Sequence, residues 1–90
     1  MTDDLELRRS VERAEQAKRL IEDPVLSEAF AAVRQACLDE WQNTHGHESE
    51  RREQFWHRLK AVDLVWDALK AMLRDGTRAS ARLKERGDAA

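Results

Sequence analysis

Ninety residues hold no tyrosine, one cysteine, one proline and three glycines. The lone Cys37 has no internal disulfide partner, which points to a reducing compartment, the cytoplasm. No run of about 18 apolar residues exists, so neither a transmembrane span nor a membrane partner is expected. The start, Met1-Thr2-Asp3-Asp4, is acidic and lacks the apolar core of a secretory signal. No glycine-rich phosphate loop is present, and no serine or cysteine stands beside a base in a known catalytic arrangement. A non-enzymatic protein with no cofactor is therefore expected. Neither sign of charge dominates, the net being −2. Residues 1–23 carry five basic and seven acidic groups, residues 24–48 sum to −3, 49–76 to +1 and 77–90 to +2. A nucleic-acid binder would usually show a stronger basic surplus, and only the tail hints at one.

What is abundant is charge, at 38% of residues, together with 41% hydrophobic residues. That mixture suits helices that are polar outside and apolar along one stripe. Phe55, Leu59, Val62, Trp66, Leu69 and Leu73 recur at spacings of four, three, four, three and four. This heptad seam predicts a helix over 49–75, buried against other helices.

An all-α chain of one domain follows, near the lower size limit for independent folding. The first helix is expected over 4–22, with Asp3 and Glu6 resembling a capping box and Leu7, Val11, Ala14, Ala17 and Ile21 on one face. Its other face carries Arg8 with Glu12 and Glu15 with Arg19, pairs that contribute only about 0.2–0.5 kcal/mol each. Asp23-Pro24 stops it and opens a second helix over 24–43, with Asp23 as N-cap. Leu26, Phe30, Val33, Cys37 and Trp41 form its stripe, flanked by Ala29, Ala32 and Ala36. Residues 43–47 form a loop and Ser49 is the expected N-cap of the third helix. Pairing residues whose numbers sum to 92 sets Cys37 against Phe55, Val33 against Leu59, Phe30 against Val62 and Leu26 against Trp66. The expected architecture is thus an antiparallel helical hairpin with the first helix packed along it. Asp75-Gly76 is read as a C-cap, and Thr77 as the cap of a short basic helix over 77–84.

Candidate chemistry is sparse. His45, His47 and Glu48 lie close in sequence, with His57 and Cys37 further off, but a structural zinc site needs four ligands of recognisable spacing. A solvated loop is the preferred reading, no metal ligand is assigned, and a small metal-binding protein is kept as a third possibility. Asp63 and Asp67 share a helix face, yet Lys60, Lys70 and Arg74 stand near enough to keep both ordinary ionised groups. Cys37 reads as a small core residue rather than a reactive thiol.

Three tryptophans are many for this length, and tryptophan is enriched at binding hot spots. Trp66 belongs to the seam. Trp56 points off it and Trp41 stands at the hairpin tip, while Val65 and Met72 widen the stripe beyond what one partner helix covers. Trp41, Trp56, Val65 and Met72 are therefore the candidate partner contacts, with the chain itself the expected partner. In the tail, Arg78, Arg82 and Arg86 share a helical face and are candidate nucleic-acid contacts, though charge favourable to a helix C-terminus is the preferred reading.

Five stretches stand out together: Ala14-Glu15-Gln16-Ala17, Leu20-Ile21-Glu22-Asp23-Pro24, Glu28-Ala29-Phe30, Arg52-Glu53-Gln54-Phe55-Trp56 and Leu73-Arg74-Asp75-Gly76. In these stretches the chain resembles small helical proteins from the head and packaging genes of tailed bacteriophages and prophages. The resemblance spans Arg13 to Leu83 and rests on helix caps and core positions. It brings no catalytic residues, and implies a host-cytoplasmic or virion protein. A helical hairpin is also the oligomerising core of phage small terminase subunits, although this chain lacks a clear helix-turn-helix ahead of it. The expected function is a self-associating helical assembly module, with a DNA-packaging oligomer as the alternative.

Overall fold

The structure, a computed structural model, describes residues 3–89, so Met1 and Thr2 of the acidic start lie outside it, as does Ala90. Three α-helices and no strand occur among the described residues: α1 (Asp4–Glu22), α2 (Pro24–Gln42) and α3 (Ser49–Ala89).

Local signals set the first two helices. Asp3 is extended, and its carboxylate accepts the Glu6 backbone N–H at 2.8 Å, satisfying one of the orphan donors of the first turn. Asp23, at φ −69° and ψ 118°, takes the extended geometry that a following proline imposes. Its N–H closes α1 on the Leu20 carbonyl at 3.2 Å. The ion pair formed along α1 is Lys18 with Glu22 at 4.0 Å, instead of the pairs expected at Arg8–Glu12 and Glu15–Arg19.

The third helix departs from expectation at both ends. Ser49 lies inside it, and Glu48 takes the capping place, its carbonyl accepting the Arg52 N–H at 3.0 Å. Nor does α3 stop at Asp75. It runs unbroken through Gly76, so the residues expected as a short helix over 77–84 are part of α3, which continues to Ala89. Gly76 has no positive φ and serves as no C-cap, and the Thr77 hydroxyl donates to the Leu73 carbonyl one turn back at 3.0 Å.

The residues divide into two compact units, Met1–Asp23 with Ala68–Ala90, and Pro24–Asp67. In the first, α1 meets the second half of α3. Leu7, Ala14, Ala17, Gly76 and Ala79 are buried there. A Cβ on Gly76 would overlap the Ala14 Cβ and stand 3.1 Å from the Ser10 carbonyl. Glycine is kept at this point for close approach, against a helix-propensity cost of about 1 kcal/mol. The Asp4 carboxylate pairs with the Arg86 guanidinium at the other end of the contact.

In the second unit, α2 meets the first half of α3. Phe30 packs on Trp66 with ring centroids 4.9 Å apart, and Arg34 Nε reaches Asp63 Oδ1 at 3.1 Å. Phe30 thus reaches one turn beyond Val62, its expected opposite. Helical side chains lean toward their own N-terminus, so two helices meeting in opposite numerical order shift their tips toward higher sums. Phe55 and Thr44 are the buried residues of this unit, and no α2 side chain is fully buried.

Candidate functional site

Along α2, apolar positions cover about half the helix circumference, wider than the roughly 100° stripe of a helix with one covered face. Leu26, Phe30 and Cys37 turn toward α3 and are half-buried. Val25 and Val33 are 72% and 50% exposed. On α3, Val65 is 54% exposed. An open, apolar groove of about 380 Å³ is lined from α2 by Leu26, Ala29, Phe30 and Val33 and from α3 by Ala61, Val62 and Val65. The Arg34–Asp63 ion pair also joins the two helices, but neither residue lines the groove, whose walls carry no charged side chain.

The four residues expected to contact a partner do not converge. Val65 alone lies in the groove. Trp41 is half-buried beneath Arg52, whose guanidinium sits 4.5 Å from the ring centroid. Arg52 Nη1 also donates to Thr44 Oγ1 at 3.1 Å, and that hydroxyl donates to the Trp41 carbonyl at 2.6 Å. Trp41 therefore closes the loop end internally. Trp56 is 46% exposed, with His57 edge-on at 5.3 Å and Lys60 Nζ 5.2 Å from its ring centroid. Leu64, 67% exposed and two helical steps of four from Trp56, shares that row, which faces away from the groove. Met72 lies in the other unit, in a cleft with Glu6, Arg9, Arg13 and Asp75.

The histidine loop is ordered by its carboxylate. Glu48 accepts the His45 backbone N–H at 3.1 Å and pairs with Arg51 at 3.2 Å. The His45 hydrogen bond, followed by Arg51, holds the Glu48 carboxyl below the usual glutamate value of 4.5. The rings of His45 and His47 stack 5.6 Å apart and nearly parallel. Among the described residues, no three His, Cys, Asp or Glu side chains gather as a metal site. Cys37 is a half-buried free thiol, and Asp63 is held by Arg34.

Of the tail arginines, Arg78 and Arg82 are exposed, whereas Arg86 pairs with Asp4. Sequence reasoning missed Val33 as an exposed apolar residue, because a periodic stripe looks the same whether or not it is covered, and it did not single out Leu64, which lies off the seam. No protein-family model, curated protein or solved structure matches this chain.

Proposed function

We propose that this protein is a non-enzymatic helical assembly module that associates with copies of itself, and that α2 and the first half of α3 act as an antiparallel hairpin presenting the joining face. The observation that carries this reading is the open apolar groove on a helix pair whose one buried large side chain is Phe55. A 44-residue two-helix unit (Pro24–Asp67) lies near the size below which oligomers or cross-links usually supply stability. Covering Val33, Val65 and the adjoining alanines contributes about 25 cal/mol for each Å² of apolar surface removed from water. Self-association supplies that cover, and a small, uncharged, two-walled groove suits a twofold contact in which the same patch serves both copies.

Within this reading Val65 and Val33 are the joining contacts, Trp56 with Leu64 form a separate apolar row, and Trp41 stabilises the hairpin end. The resemblance to phage head and packaging proteins agrees with an assembly role in a host cytoplasm or a virion. No helix among the described residues is long and apolar enough to cross a membrane. The test is the solution mass of the chain beside Val33→Asp and Val65→Glu. Association that both substitutions abolish supports the proposal, and association indifferent to both removes the groove from it.

A further inference from the structure

Because α3 does not break at Gly76, basic residues on either side of that glycine fall on one continuous helix. Lys70, Arg74, Arg78 and Arg82 recur every fourth residue, and all four are exposed. A step of four advances about 6 Å along the axis and about 40° around it, so the row spans about 18 Å and drifts through about 120°. Gly76 and Ala79, buried against α1, lie on the opposite side of α3, so nothing within this unit covers the row. None of the four cations takes part in any ion pair or side-chain hydrogen bond among the described residues. Arg86, which sequence alone placed with Arg78 and Arg82, leaves this set because it pairs with Asp4.

We propose that Lys70, Arg74, Arg78 and Arg82 form a phosphate-binding row that takes the backbone of a nucleic acid without reading its sequence. The regular spacing of point charges over about 18 Å fits a ligand with repeating anions. An anionic membrane fits less well. A surface-lying helix buries large apolar side chains beside its cations, whereas here Ala71 and Ala81 stand between the basic positions and the opposite face belongs to α1. Contacts of this kind position a backbone and carry no base readout. Asp67 and Glu85 stand at the ends of the row and Asp75 at its edge, which limits the phosphates neutralised to two to four. The logarithm of affinity then falls against the logarithm of salt with a slope of about −2 to −4. The row and the apolar groove are made by different residues, so this inference stands or falls separately from self-association.

The experiment is fluorescence anisotropy of a labelled mixed-sequence 30-base-pair duplex, titrated with the full chain from 25 to 200 mM salt. Lys70→Gln, Arg74→Gln, Arg78→Gln and Arg82→Gln are combined in one variant. Arg8→Gln, Arg19→Gln, Arg58→Gln and Lys60→Gln are combined in a second that removes the same charge elsewhere. Glutamine preserves helix propensity, and circular dichroism confirms folding. The row variant is expected to lose about tenfold or more in affinity at 25 mM salt with a flattened slope, while the control stays within about threefold. Should the fourfold row variant fail to fold, Arg78→Gln alone is expected to reduce the slope by about one. No binding at 25 mM salt, equal losses in both variants, or binding to vesicles of anionic phospholipid without binding to the duplex would each overturn the proposal.

Discussion

Gly76 and Ala14 touch so closely that a methyl group on the glycine would occupy the space of the alanine Cβ. In an exposed helix, Gly→Ala stabilises by about 1 kcal/mol. Here the expected sign is reversed. Gly76→Ala forces α1 away from α3 and lowers stability by about 1–3 kcal/mol, the usual range for overpacking. Ala14→Gly in the same chain reopens the space, so thermal melts of the two single variants and the double variant are expected to show strong coupling. Additive effects would place the contact elsewhere.

Phe55 is the buried large side chain of the Pro24–Asp67 unit, with the guanidiniums of Arg51 and Arg58 at 5.7 and 5.2 Å from its ring centroid. Phe55→Ala is expected to destabilise by about 3 kcal/mol, near the low end for buried aromatics because the surroundings are only half-covered. Leu64→Ala, at a position 67% exposed, is expected to change stability by less than about 0.5 kcal/mol. Chemical denaturation of both variants checks the contrast.

Glu48 titrates below 4.5 because its ionised form accepts the His45 N–H and pairs with Arg51. A carboxyl lowered in the folded state adds stability above its unfolded value, and that contribution fades as pH falls through the lowered folded value. The loop over 43–48 is therefore expected to loosen below pH 4.5. Carboxyl NMR is expected to place the Glu48 midpoint under 4.5, moving upward in Arg51→Gln. An unchanged midpoint in that variant would remove Arg51 from the loop's support.

The contrast between Pro24 and Gly76 shows what could be read from sequence. Proline acts on its own backbone and on the residue before it, so the break between α1 and α2 was legible from Asp23-Pro24. Asp3 was legible as a cap for the same reason, because its partner is three residues away. Glycine after a helical stretch has two meanings, a left-handed cap or a point of close approach. Only the position of Ala14, sixty-two residues earlier, decides between them. The break expected at Gly76 hid the alignment of Lys70 and Arg74 with Arg78 and Arg82. The apolar periodicity of α2 was equally legible, but periodicity marks a face that wants cover and does not say whether the chain covers it. Val33 is where it does not.

Trp56 provides a control for the assembly face. It lies on a different side of α3 from the groove, half-exposed beside Lys60. Trp56→Ala is expected to leave the solution mass unchanged while Val33→Asp and Val65→Glu reduce it to a single chain. Sedimentation of the three variants at one concentration separates them.

The most direct measurement is the mass of the full chain by light scattering coupled to size exclusion. Assembly through the groove predicts about 21 kDa or a higher multiple of the 10.5 kDa chain, falling toward one chain in Val33→Asp. A 10.5 kDa species across the whole accessible concentration range would contradict self-association as this protein's function.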